Sequence, residues 1–175
     1  SGMRREELNG LKWEDINFDT NEITIKEVRL SVGKNIVTDT PKTEKSKRKI
    51  VVSNIAMNYL KELKSYQEEI KFKLKNKWHE TGYVFVNDRG EPYYPDTLSK
   101  MFKKVQKKYG LASLTLHQLR HTSASILINN NEDIATVSKR LGHSNINTTL
   151  STYTHVIDEA NIKIANTMNK ILKNI

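Results

Sequence analysis

A histidine and an arginine stand three residues apart in segment 114–120, where the sequence predicts the start of a helix. Thr115 and Gln118 have the spacing of a capping box, which places the first helical turn here. Residues three apart share a helix face, so His117 and Arg120 are expected side by side. The start of a helix favours anions, and an arginine with an imidazole there suits a phosphate. Taken alone, this motif is better explained by a surface His-Arg pair near a helix end.

A second histidine follows a predicted helix end. Apolar residues at helical spacing, Ile134, Val137 and Leu141, stop at Gly142, and glycine ends helices because it adopts positive φ. His143 is therefore expected just past a helix terminus, held by backbone geometry. A lone histidine in such a place is more often structural than catalytic.

Tyr153 lies within the Thr- and Ser-rich segment 148–155. A phenol can form a covalent intermediate if its proton is removed. The chain has seven tyrosines, and nothing local distinguishes this one from a core aromatic residue.

The elements that would position these residues are mainly helical. We predict a helix over 4–13, strands over 23–30, 36–40 and 49–52, and a long helix that Ser53 caps. A basic turn over 41–48 would connect the last two strands. A further helix ends at Gly110, and the remainder is helical with breaks at 129–131 and 142–147. The expected fold class is α+β: one mostly helical domain over residues 1–175, with a small three-stranded antiparallel sheet.

Net charge and amino-acid composition indicate which classes of binding partner and site to consider. The 29 Lys and Arg exceed the 20 Asp and Glu, which gives a net charge of +9 and a pI near 9.6. Basic domains gain affinity for nucleic acids by releasing counterions, although a lysine-rich surface without such a partner is the alternative. The absence of cysteine excludes disulfides and thiolate metal sites. No stretch approaches the roughly 18 apolar residues of a membrane span, so a cytoplasmic protein is expected.

Five motifs, taken in order, resemble the signature set of the tyrosine recombinase (phage integrase) family. They are Gly-Met-Arg-Arg-Glu-Glu-Leu at 2–8, Pro-Lys-Thr at 41–43, His-Gln-Leu-Arg-His-Thr at 117–122, Leu-Gly-His-Ser at 141–144 and Tyr-Thr-His at 153–155. The resemblance extends over essentially the whole chain. It implies the DNA breaking-rejoining catalytic fold, with upstream DNA-binding domains and the start of the catalytic domain outside this sequence.

The resemblance also implies a role for each matching residue. Arg4 and Arg120 would clamp the nonbridging oxygens of the scissile phosphate, and Lys42 would protonate the leaving 5′ oxygen. Lys45 and Lys47 lie close enough to be alternatives to Lys42. The other implied members of the site are His117 and His143, the nucleophile Tyr153, and Glu7 as a support for the first arginine.

The implied function is site-specific recombination of double-stranded DNA through a 3′-phosphotyrosyl intermediate, without metal or cofactor. The enzyme would serve a phage or conjugative element and act in the bacterial cytoplasm, associated with the nucleoid. A tetramer on DNA is expected, with the terminal apolar stripe Ile162, Ala165, Met168 and Leu172 docking either on its own core or on a neighbouring protomer.

Other functions stay open at this point. A non-enzymatic DNA-binding module would share the basic surface without a reacting tyrosine, and a chromosome-dimer-resolving recombinase or a type IB topoisomerase would share the chemistry. A metal-independent ribonuclease could use His117, His143 and a lysine. A zinc enzyme is disfavoured because the chain has neither cysteine nor a His-Glu-x-x-His pair.

Overall fold

Helices are the main elements of the structure, a computed structural model that describes residues 1–40, 47–143 and 145–152. The helices are α1 (Arg5–Asn9), α2 (Asn54–Leu74), α3 (Thr97–Lys108), α4 (Leu116–Asn129), α5 (Ile134–Leu141) and α6 (Ile146–Thr152). The strands are β1 (Ile16–Asn17), β2 (Glu22–Ile25), β3 (Val28–Val32), β4 (Asn35–Asp39) and β5 (Arg48–Val51). Short 3-10 helices cover Trp13–Asp15 and Lys75–Lys77. The predicted α+β class is confirmed.

The sheet has three antiparallel strands, as predicted, and two of them, β2 and β5, are predicted members, but β1 is the third strand in place of the one expected over 36–40. Its order is β1-β2-β5, with Ile23 opposite Ile50, while β3 and β4 form a separate two-stranded hairpin. The single strand predicted over 23–30 is broken between β2 and β3. At this break the Glu27 carboxylate accepts hydrogen bonds from Lys12 Nζ (2.9 Å) and the Tyr83 hydroxyl (2.6 Å). These distant partners anchor the point at which the chain leaves the sheet.

The first helix is shorter than the predicted 4–13 and ends at Asn9. Gly10 follows it, and a Cβ there would lie 2.5 Å from the Glu27 carbonyl oxygen. The backbones of Gly10 and Glu27 therefore pack more closely than any other residue at position 10 would allow. This contact fixes α1 against the start of β3.

Three local helix signals are confirmed. Thr115 Oγ1 accepts from Gln118 N (3.1 Å) and Gln118 Oε1 accepts from Thr115 N (2.7 Å), the capping box predicted at the start of α4. Ser53 accepts from the backbone of α2, and Gly142 ends α5 in the left-handed conformation with φ 69°. Among the described residues, no helix has the length and apolar character to cross a membrane.

Two apolar clusters form the core of the described residues. The smaller one joins α4 to α5 through Ala124, Ile128, Val137 and Leu141. The larger one packs the sheet against α1 and α2 and contains Met3, Leu11, Ile16, Ile23, Ile25, Ile50, Val52, Met57 and Val84. A network of charged side chains joins the elements of the two clusters, and the predicted residues Arg4, Glu7 and Arg120 belong to it.

Candidate active site

Three of the predicted site residues line one cleft. Arg4, His117 and Arg120 face a cavity of about 470 Å³ between α1, α3 and the start of α4. Arg5 and Lys103 add two further cations to its lining, and Glu6, which pairs with Arg5, adds one carboxylate. A cavity with this many cationic groups is suited to bind an anion.

The C-terminal end of α5 accepts hydrogen bonds from three arginines that come from three different elements. Helix C-termini carry partial negative charge on their last carbonyl groups, so cations there are stabilising. The donor–acceptor pairs are Arg48 Nε to Arg140 O (2.7 Å), Arg120 Nη2 to Leu141 O (2.6 Å) and Arg4 Nη2 to Gly142 O (2.9 Å). The helix end therefore brings the two predicted catalytic arginines together immediately before His143.

Glu7 holds two of these arginines from the opposite side. Its carboxylate is almost fully buried, with 2% of the side chain exposed, and it receives both terminal nitrogens of Arg48 at 2.8 and 3.0 Å. Arg4 donates to the same carboxylate from Nη1 (3.0 Å) and from its backbone N–H (2.7 Å). Burial raises the pKa of Glu7, but the hydrogen bonds and charges of Arg48 and Arg4 outweigh burial and leave this pKa below its usual value. Glu7 is thus a carboxylate that fixes Arg4 in place.

Arg120 is buried and oriented by backbone carbonyl groups. Its residue exposure is 5%, and it donates to Gly2 O at 2.6 Å as well as to the end of α5. Because Gly2 precedes α1, Arg120 ties the start of the chain segment that carries Arg4 to the helix that precedes His143.

His143 lies just past α5, as the C-cap glycine predicted. Its Nδ1 is 2.7 Å from the Thr149 hydroxyl of α6, and Thr149 is fully buried. Burial, and then the positive charges of Arg120 and Arg4, lower the pKa of His143 from 6.5 to about 4. The imidazole is therefore neutral at neutral pH.

A second imidazole accompanies His117. His121 lies one helical turn further along α4, and the two Nε2 atoms are 2.8 Å apart with the rings nearly perpendicular at 82°. Burial, followed by the charges of His117 and Arg120, lowers the pKa of His121. His121 therefore stays neutral at neutral pH.

Two predicted residues lie outside the described part of the chain. These are Lys42 and Tyr153, and the alternative lysine Lys45 lies outside it as well. Lys47 is described and is exposed. The structure therefore brings together Arg4, His117, Arg120 and, next to them, His143.

Sequence reasoning missed two members of this arrangement, Arg48 and His121. The sequence pattern placed Arg48 in a basic turn, yet strand β5 alternates buried and exposed residues from Arg48 onward, in phase with the buried Ile50. That period of two was the available signal. His121 stands four residues after His117, which is the spacing of neighbours on a helix.

Comparison with known proteins decides the family. A sequence profile described as the phage integrase family matches residues 1–160. The chain belongs to the phage integrase family. The resemblance inferred from five ordered motifs is thereby confirmed.

Curated relatives in the phage integrase family match the chain along nearly its whole length. A tyrosine recombinase XerC-like protein of Caldanaerobacter subterraneus subsp. tengcongensis is 34% identical over 98% of this chain and 47% of that protein. The ICEBs1 integrase of Bacillus subtilis strain 168 is 28% identical over 98% of this chain and 46% of that protein. The chain thus spans about half the length of the curated relatives it matches.

Solved structures of recombinases share the fold. The Tn1549 transposon integrase, in complex with transposon right end DNA, superimposes with a TM-score of 0.76 and 26% identity over 94% of this chain and 55% of that one. The XerA recombinase gives a TM-score of 0.70 and 25% identity over 95% of this chain and 53% of that one.

Proposed function

We propose that this chain is the catalytic domain of a site-specific DNA recombinase that serves a mobile element and forms a 3′-phosphotyrosyl link through Tyr153. One observation carries the proposal: Arg4 and Arg120 are fixed on the same helix end and line one cleft with His117. Relatives named as integrases of mobile elements, and an integrase solved on transposon-end DNA, support double-stranded DNA as the substrate.

The two arginines suit the transition state of phosphoryl transfer. Negative charge accumulates on the nonbridging oxygens, and guanidinium groups stay protonated and donate paired hydrogen bonds to them. Glu7 and the end of α5 hold Arg4 before any DNA binds, so little reorganisation is needed at the reaction step. Such preorganised charge usually makes the largest contribution to rate.

The chemical step conserves the number of phosphodiester bonds. The Tyr153 phenol oxygen attacks phosphorus and forms a new ester bond, while the bond from phosphorus to the 5′ oxygen breaks. Lys42 supplies the proton that the leaving 5′ oxygen needs. A phenol with a pKa near 10 must lose its own proton as it attacks, and a neighbouring histidine or water accepts it.

His143 is the histidine best placed to respond to the substrate. Its pKa is low because cations surround a half-buried imidazole. A phosphate anion between Arg4 and Arg120 would offset those charges, so DNA binding would raise the affinity of His143 for a proton. The imidazole would then be able to accept the phenol proton when a phosphodiester is present.

The wider context of the protein belongs to the same proposal. The chain would act on bacterial DNA in the cytoplasm as part of a longer protein, in a tetramer assembled on DNA. The apolar stripe over 162–172 lies outside the described residues, and its docking on a neighbouring protomer would link the active sites.

Covalent trapping tests the function. The chain, together with a longer form carrying any upstream sequence that its gene encodes, is incubated in EDTA with nicked suicide duplexes tiled across the ends of the element that carries the gene. The proposal predicts a protein–DNA band on a denaturing gel for the wild type and none for Tyr153→Phe. Tight binding without an adduct in both proteins would instead favour a non-enzymatic DNA-binding module.

A further inference from the structure

We propose that His121 is a positioning residue that keeps a proton on Nδ1 of His117, so that His117 presents an N–H donor to the phosphate in the cleft. The inference rests on the proposed function, because it assigns the cleft to a phosphodiester. It goes further by giving a role to a histidine outside the catalytic set.

The geometry fixes which nitrogen of His117 remains for the substrate. The Nε2 atoms of His117 and His121 are 2.8 Å apart, within hydrogen-bond distance. His121 therefore occupies Nε2 of His117, and Nδ1 is the nitrogen left for another partner. His117 is exposed and lines the cleft beside Arg4 and Arg120.

When both imidazoles are neutral, one hydrogen lies between the two Nε2 atoms. Either His121 or His117 can be the donor of this hydrogen bond. If His121 donates, Nε2 of His117 accepts, and the proton of His117 must reside on Nδ1. If His117 donates instead, its Nδ1 carries a bare lone pair. A lone pair repels an anionic phosphate oxygen, whereas an N–H attracts it.

An anion in the cleft favours the first arrangement. The charged and titratable groups that act on His121 include His117 and Arg120 on α4 and, after α5, His143. Because His121 stays neutral among them, it keeps a single ring proton. An anion in the cleft then selects the state in which that proton lies between the rings and His117 donates from Nδ1. Second partners of this kind commonly set the tautomer of a functional histidine.

Nitrogen NMR of the imidazoles tests the tautomer without requiring activity. The chain is labelled with ¹⁵N-histidine, and its five histidines are assigned by single substitutions. With a DNA duplex bound, we expect His117 in the Nδ1–H form at pH 7.5 in the wild type and in His121→Gln, whose amide can still donate. In His121→Phe, which lacks a donor, His117 should revert to the Nε2–H form that free imidazole side chains prefer; His121→Leu serves as a second variant without a donor.

Cleavage kinetics test the consequence. On the suicide duplex, His121→Phe should slow adduct formation about tenfold at unchanged DNA affinity, and His121→Gln should recover most of the rate. The inference is wrong if His117 is in the Nε2–H form in the wild type. It is also wrong if His117 has the Nδ1–H form in both the wild type and His121→Phe. A slow His121→Phe that His121→Gln does not rescue overturns it as well. A wild type that binds DNA without forming an adduct would refute the proposed function, while the tautomer measurement would still decide the role of His121.

Discussion

At the scale of single residues, buried charge and its compensation decide where the site lies. Arg48 and Glu7 have 4% and 2% of their side chains exposed, and they satisfy each other with two hydrogen bonds. Breaking a buried pair by removing one partner typically costs about 3–5 kcal/mol, because a charge is left uncompensated. Arg4 shares this carboxylate, so the same pair that stabilises the fold also fixes a residue of the proposed active site.

The low pKa of His143 predicts an acid-sensitive fold. The unfolded chain takes up a proton on this imidazole below about pH 6.5, whereas the folded chain resists protonation down to a pKa of about 4. The free energy of unfolding should therefore fall as the pH decreases from 6.5 to 4. His121 contributes in the same direction, and Glu7, with its lowered pKa, extends the loss below about pH 4.5.

Urea unfolding at pH 7, 6 and 5 measures this effect, with His143→Gln as the matched variant. The variant should lose less stability than the wild type over this range, because a group whose folded pKa lies well below its unfolded pKa is gone. An identical pH dependence in the two proteins would show that His143 is not held neutral by its surroundings.

At the scale of elements, Gly142 is what lets the end of α5 approach Arg48. It has φ 69°, and a Cβ at this position would lie 2.5 Å from Arg48 Nη1. Gly110, which follows the C-cap of α3, has a similar φ of 62°, but a Cβ there would meet no atom within 4 Å. An alanine at either position would meet the same backbone strain, but only an alanine at position 142 would also meet a packing clash. Comparing the two substitutions therefore separates the cost of strain from the cost of packing.

Gly142→Ala should destabilise the fold more than Gly110→Ala does, by about 1–3 kcal/mol, since only the first variant is overpacked against Arg48. Urea unfolding of both variants measures the difference. Gly142→Ala should also slow adduct formation, because the same helix end positions Arg4 and Arg120. Equal costs for the two substitutions would mean that Arg48 moves aside freely and does not fix this helix end.

Features that depend on neighbouring residues were predicted from the sequence, whereas features that depend on distant residues were not. Helix caps such as Thr115 with Gln118 were predicted well because they are local, three residues apart. The membership of the strands was not predicted well. Glu27 lies at the break between β2 and β3, and its partner Tyr83 is 56 residues away in the sequence. Arg48 was missed for the same reason: its partner Glu7 is 41 residues away, so the basic segment at 41–48 was interpreted as a turn. The family motifs supplied Arg4 and Glu7 where spacing alone did not.

At the scale of the whole molecule, the net charge of +9 predicts salt-sensitive DNA binding. Each neutralised phosphate contributes a slope of about −0.9 to the logarithm of affinity against the logarithm of salt concentration. Lys103→Ala should make this slope shallower by about one, because Lys103 lines the cleft. Lys61, beside Phe18 in a separate groove, provides a matched control that should leave the slope unchanged.

Fluorescence anisotropy with a labelled duplex between roughly 50 and 300 mM salt would give these slopes around physiological conditions. Affinity that does not change with salt would contradict an electrostatic DNA surface. A Lys61→Ala slope as shallow as that of Lys103→Ala would place DNA on a different face from the proposed cleft.

The identity of the linked tyrosine tests the central claim most directly. After trapping on the suicide duplex, nuclease digestion leaves a nucleotide on the protein, and trypsin cuts after Arg140 and Lys163. The resulting peptide, residues 141–163, contains Tyr153 as its only tyrosine. We predict that mass spectrometry finds the nucleotide on this peptide in the wild type and that Tyr153→Phe yields no adduct. A nucleotide on any other peptide would contradict the assignment of Tyr153 as the nucleophile.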